Sequence, residues 1–274
     1  MPDPASITAH VRALAKPQTA QRAAEALRIL SAEEADLGSV VDAGAIPALI
    51  SVLRDGSDDA KSVAAAALWN ISVNDGYKVV IAEAGAISPL ISLVRAGSAL
   101  EQFKAAGALR NLSLNKDNAV AVASAGGIPA LVALVKNGND DGKRFAASAL
   151  WSLSVLNTNK IAIHQAGGIP ALVDLLRVSG LVQEKASGAL ANLACKPDVA
   201  VAIVEAGGIP ALVAVVSLSN SRVAKEKALR AAFHLAHIDD AHRIAMFEAG
   251  SVPPLVAVLR DGNDVMREHA AGIL

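Results

Sequence analysis

Ala125-Gly126-Gly127-Ile128-Pro129-Ala130-Leu131-Val132 recurs unchanged at 166–173 and 206–213, and worn copies stand at 43–50, 84–91 and 249–256. The leading glycines, Gly44, Gly85, Gly126, Gly167, Gly207 and Gly250, are spaced 41, 41, 41, 40 and 43 residues apart. A period near forty marks a small helical unit that cannot bury its own apolar face and must stack on its neighbours. The pattern therefore predicts an all-α solenoid, whose natural product is a long surface instead of a closed pocket.

The residues around the quoted stretch resolve one unit into three helices. Residues 118–124 form a short apolar helix that Gly126-Gly127 stop, because glycine supplies the backbone angles of a helix end. Pro129 sits in the first turn of a second helix, 129–136, where its missing N–H costs nothing. Asn137-Gly138-Asn139-Asp140 reads as a turn and N-cap cluster. A longer third helix over about 141–154 follows, with Ala147, Leu150 and Leu153 at helical spacing.

Composition agrees with close helix packing. Hydrophobic residues make up 53% of the 274-residue chain but aromatics only 3%, so small and aliphatic side chains fill the core. Glycines inside third helices (Gly107, Gly142, Gly188, Gly272) cost about 1 kcal/mol each against alanine and are read as sites of close approach. The formal net charge of −1 gives no case for nucleic acid or an anionic membrane. Residues 118–135 are uncharged, but the same segment is broken by glycine and proline and carries Glu83 or Glu205 in other copies, so it reads as core and not as a membrane span.

The unbroken period predicts one domain: a worn capping repeat over 1–36, full repeats over 37–238 and an incomplete repeat over 239–274. In the cap, residues 6–14 and 20–31 take the places of the second and third helices. The start Met1-Pro2-Asp3-Pro4 has no basic, apolar leader and no glycine for myristoylation. The single Cys195 excludes a disulfide framework, and its apolar setting, Leu193-Ala194-Cys195, predicts a buried, inert thiol. A cytoplasmic protein is expected, with the nucleus also open to it.

Asp75-Gly76-Tyr77-Lys78-Val79-Val80-Ile81-Ala82-Glu83-Ala84-Gly85-Ala86-Ile87, with the helix end Ala108-Leu109-Arg110-Asn111-Leu112-Ser113, resembles the armadillo repeat of the β-catenin, plant armadillo and vacuolar scaffold type. Six registers agree, over nearly the whole chain. The resemblance implies a right-handed superhelix that binds an extended peptide along its concave third-helix face. By resemblance, the asparagine ladder of that face falls on Asn70, Asn111 and Asn192 as anchors for a peptide backbone, with Ser152 and His234 breaking it. A carboxamide offers both a donor and an acceptor to a passing strand. The alternative reading is that these asparagines cap or bridge neighbouring loops.

Helical geometry puts further residues beside that row. One position before it stand Trp69, Arg110, Trp151, Ala191 and Phe233, the aromatics being either ligand anchors or packing against the adjacent helix. Four before it stand Ala66, Gly107, Ser148, Gly188 and Arg230, mostly small, which predicts a trough. Seven and eight before it come Lys104, Phe145, Lys185 and Lys227, then Phe103, Arg144, Glu184 and Glu226. Six basic residues (Lys104, Arg110, Arg144, Lys185, Lys227, Arg230) against two acidic favour an acidic or phosphorylated segment. The tryptophans that importin-α carries four residues before its asparagines are missing, which counts against a nuclear-transport adaptor. A recognition fragment of a larger protein such as a U-box ubiquitin ligase, and an engineered array, remain alternatives.

No chemistry of catalysis is legible. His234, His237 and His242 have no cysteine or carboxylate at ligand spacing, no glycine-rich element has phosphate-loop order, and no serine has a nucleophile-elbow context. Neither a metal nor a cofactor is expected. The chain ends at Gly272-Ile273-Leu274 inside an expected third helix, which predicts an apolar flank including Phe233, Leu255 and Leu259 and self-association through that end.

Overall fold

A computed structural model describes residues 3–274; Met1 and Pro2, the first residues of the expected cap, lie outside the described residues. Twenty helices and no strand are present among the described residues. The chain forms two compact units, one up to Ala149 and one from Leu150 to Leu274.

In the first unit, α1 (Pro4–Ala13) and α2 (Pro17–Leu30) form the two-helix cap. Two three-helix repeats follow, α3 (Glu34–Asp42), α4 (Ala45–Asp55), α5 (Asp58–Ile71) and α6 (Asp75–Glu83), α7 (Ile87–Ala96), α8 (Ala99–Leu112). A third repeat has α9 (Lys116–Ser124), α10 (Gly127–Asn137) and α11 (Asp140–Leu153), the last continuing past Ala149. The first full repeat thus begins at Glu34, three residues inside the expected cap.

The second unit contains α12 (Asn157–Gln165), α13 (Gly168–Leu175) and α14 (Leu181–Leu193). It continues with α15 (Pro197–Glu205), α16 (Gly208–Leu218) and α17 (Arg222–Ala236), then α18 (Asp240–Glu248), α19 (Val252–Asp261) and α20 (Asp264–Ile273). The third helix is the longest of each repeat except the last, where α19 and α20 have 10 residues each.

The six leading glycines each separate a first from a second helix, and all have positive φ, from 71° at Gly167 to 85° at Gly85. Only glycine takes that angle without steric cost, and it turns the chain sharply: the helices on either side of Gly85 meet at 85° and those around Gly126 at 78°. That corner keeps every apolar pair too bent to be one membrane-crossing rod, and no single helix is long and apolar enough to cross a membrane.

The third helices α5, α8, α11, α17 and α20 begin at side-chain caps, whereas α14 begins at Gly180 without one. Ser98 accepts from the Glu101 amide while the Glu101 carboxylate accepts from the Ser98 amide, and Asn139 accepts from Gly142 N at 2.9 Å. Such caps contribute about 1 kcal/mol each. With their starts fixed, the third helices stack, α2 on α5 on α8 in the first unit and α14 on α17 on α20 in the second, with the second helices packed behind. Leu68, Leu109, Leu190 and Leu235 lie fully buried in these seams.

Two expectations are corrected. Cys195 is exposed, its Sγ 3.4 Å from Ala191 O, because it falls in the turn just beyond α14 instead of within the helix. The flank expected to lie open is also partly closed: α20 covers Leu255, which is 3% exposed, while Leu259 is 36% exposed.

Candidate ligand-binding face

The ladder asparagines are the penultimate residues of α5, α8 and α14, within the last turn, where carbonyls lack intrahelical partners. Each reaches back to the helix of the preceding repeat. Asn70 Nδ2 donates to Arg28 O at 3.0 Å. Asn111 Nδ2 donates to Trp69 O at 3.3 Å and Ser72 Oγ at 3.1 Å, and Asn192 Nδ2 to Trp151 O at 3.4 Å and Ser154 Oγ at 3.1 Å. The same carbonyls accept from Ser31, Ser72 and Ser154 hydroxyls three residues on.

The amide donors of the row thus bridge neighbouring repeats. Asn111 is 2% exposed. Its Oδ1 accepts from Arg110 Nη1 at 2.7 Å, and Asn192 Oδ1 from Arg230 Nη2 at the same distance. Asn70 is half-buried and borders an open cavity of about 400 Å³ with Ser31, Glu34, Val73 and Asn74. Ser152 and His234 are half-buried at the equivalent places.

The expected trough is filled. Trp69 lies over Gly107, Trp151 over Gly188 and Phe233 over Gly272, so closely that a Cβ on those glycines would come within 2.8, 2.5 and 2.4 Å of ring carbons. The aromatic of one repeat occupies the space that the next repeat leaves by having no side chain. Trp69 also meets Phe145 edge-on at 4.7 Å and Phe103 at 6.4 Å, and the two phenylalanines stack at 5.8 Å. These three half-buried rings from α5, α8 and α11 form one aromatic patch.

The basic row is less uniform than its sequence suggests. Arg144 pairs with Asp141, which adds a third acid, and lies 4.3 Å from the Phe145 ring centroid. Lys185 pairs with Glu184 and lies 5.5 Å from the Trp151 ring, and Lys227 pairs with Glu226. Lys104, Arg110 and Arg230 differ: their hydrogen bonds go to the Ser62 hydroxyl (2.9 Å) and the two asparagine amides. Burial and the nearby Arg28 hold the Lys104 ammonium below its usual range, against the pull of Glu25 and Glu101. Burial likewise lowers His234, helped by Arg230.

Stacked three-helix units with a shared row of inter-repeat asparagines define an armadillo-repeat α-solenoid. The armadillo/β-catenin-like repeat model matches residues 39–73, 74–114, 115–155 and 157–195, so the chain belongs to that family. The same helix pattern continues beyond the matched residues through α20.

Solved structures similar to it include an engineered protein at 29% identity and TM-score 0.90, covering 97% of this chain and 67% of that one. A computationally designed armadillo repeat protein for modular peptide recognition is 28% identical with TM-score 0.78, over 83% of this chain and 99% of that one. A designed armadillo repeat protein in complex with the peptide (KR)4 has TM-score 0.75 over 83% of this chain and 97% of that one; at 24% identity it shows likeness of fold alone. No curated protein sequence matches the chain.

Proposed function

We propose that the chain is a protein-interaction scaffold that holds an extended, acidic or phosphorylated segment of a partner along its third-helix face. The role is one of binding, not catalysis. The observation that carries this reading is the state of Lys104 and Arg110 in the first unit and Arg230 in the second, third-helix cations whose hydrogen bonds go to neutral groups. Cations held in this way are oriented but not neutralised, and charge-assisted bonds to carboxylate or phosphoryl oxygens are about twice as strong as bonds between neutral groups.

The designed relative made for modular peptide recognition supports the peptide-binding part. The asparagines serve in this reading mainly through the guanidinium groups they hold. The rings of Trp69, Phe103 and Phe145 supply an apolar patch beside them, suited to anchoring one large side chain of the segment.

The test is fluorescence anisotropy with two labelled twelve-residue peptides, one alternating Asp and Ser, the other Lys and Ser. The acidic peptide should bind more tightly, weaken steeply between 50 and 300 mM salt, and lose about tenfold or more in affinity with Arg110→Ala. Preferential binding of the basic peptide would overturn the proposal.

A further inference from the structure

Three imidazoles surround one ring on the third-helix face of the second unit. The centroids of His237, His269 and His234 lie 4.1, 5.1 and 5.8 Å from that of Phe233. His234 and His237 belong to the α17 end and His269 to α20. One turn before His234, Arg230 projects from the row in which α14 and α20 carry only Gly188 and Gly272. Asn192 fixes one end of the guanidinium, but Arg230 Nε and His269 Nδ1 are buried with no hydrogen-bond partner. Buried nitrogens in that state are rare in folded proteins, and two of them beside several cations suit a ligand rich in acceptor oxygens.

The charges around the imidazoles are mostly positive. Arg230, Lys160 of α12 and the other two imidazoles act on His234. Glu268 and Glu226 favour a charged His269, while Arg230 and Lys227 oppose it. The remaining charges on the packed elements are paired or face water. Lys185 on α14 pairs with Glu184, Asp240 on α18 with Arg243, His242 with Asp239, and Arg260 on α19 with Asp261. Asp198 and Glu205 on α15 are exposed, and α16 has no charged residue.

We propose that Arg230 and the imidazoles of His234 and His269 form an oxyanion subsite that takes a phosphoryl group of the extended partner with uptake of a proton. This rests on the scaffold reading above and names one contact within it. In the free protein, burial first and the neighbouring cations second keep His234 below the usual imidazole range, and burial does the same at His269. A dianion seated among these groups reverses the electrostatic part and raises both. Binding therefore takes up protons between the two values, and affinity rises as pH falls through that window.

The experiment compares an acidic twelve-residue peptide carrying a central serine with the same peptide carrying phosphoserine, by anisotropy at pH 8.0 and 6.5. An imidazole NMR titration of the wild type with and without sodium sulfate, whose charge is constant over this range, runs beside it. The phosphopeptide should bind about threefold to tenfold more tightly at the lower pH, the effect of one or both imidazole pKa values raised by about one unit. The serine peptide should change less than twofold, His234→Asn should flatten the difference, and sulfate should raise the His234 and His269 midpoints. If both peptides bind equally at both pH values and sulfate moves neither midpoint, the subsite is wrong and the scaffold reading stands. If neither peptide binds but sulfate shifts both midpoints and Arg230→Ala abolishes the shift, the subsite stands and the extended-partner reading falls.

Discussion

Trp151 lies across Gly188 so closely that a Cβ on the glycine would come within 2.5 Å of ring carbon Cε2. Helix propensity alone would favour alanine there by about 1 kcal/mol. The contact reverses that sign, because overpacking a filled site costs about 1–3 kcal/mol. Gly188→Ala should therefore lower the unfolding free energy by about 1–2 kcal/mol in urea titrations. In a Trp151→Leu background the same substitution should be neutral or stabilising, and an unchanged penalty there would show that the indole is not its cause.

Asn111 and Asn70 occupy the same place in successive repeats but differ in burial, the former 2% exposed and the latter half-buried. Replacing Asn111 with alanine breaks bonds to Trp69 O and Ser72 Oγ and leaves Arg110 without its acceptor. A loss of about 1–3 kcal/mol is expected. Asn70→Ala, with one bond to Arg28 O and water at hand, should cost less than half as much. Equal losses by chemical denaturation would contradict this ordering.

The stability of the free protein should fall on mild acidification. The folded-state pKa values of His234 and His269 lie below their unfolded values, so the unfolded chain binds protons first and folding loses ground as pH drops below about 6.5. The lowered carboxylates Glu25 and Glu226 act only further down, below about 4.5. A Tm series should thus decline between pH 7 and 5 in the wild type. The decline should be shallower in His234→Asn; parallel curves for the two proteins would exclude this histidine as the source.

Gly126 has φ of 78° at the corner between α9 and α10. Alanine there must adopt a left-handed backbone, at a cost of about 1–2 kcal/mol. At the equivalent Gly207 a Cβ would project into open space, with no atom within 4 Å, so Gly207→Ala measures that backbone cost alone. A Gly207→Ala protein as stable as wild type would disprove the conformational argument.

Much of the fold could be read from the chain because Gly44, Gly85, Gly126, Gly167, Gly207 and Gly250 are required by backbone angle, so their positions set helix boundaries directly. The ladder residues were legible as a row but not as a set of bonds. Asparagine carries both donor and acceptor, and nothing local says whether a neighbouring helix end or solvent will take them. Cys195 was misread for a related reason: its apolar neighbours Leu193 and Ala194 are buried, yet one further step leaves the helix. The filling of Gly188 by Trp151 and of Gly107 by Trp69 had a signal, the recurrence of an aromatic followed by glycine 37 or 38 residues later, which no single-helix periodicity displays.

Because Asn111 finishes the helix that bears Trp69, and Asn192 the helix that bears Trp151, these two repeats are completed by the ones after them. The coupling between such neighbours is consequently mutual. Opening either side breaks the bond for both: loss of α8 takes Asn111 from the Trp69 carbonyl, and loss of α5 leaves the Asn111 amide without its acceptors. Hydrogen exchange should then show the C-terminal turns of α5 and α8 opening together, a latch written into the side chains of an otherwise quasi-symmetric array.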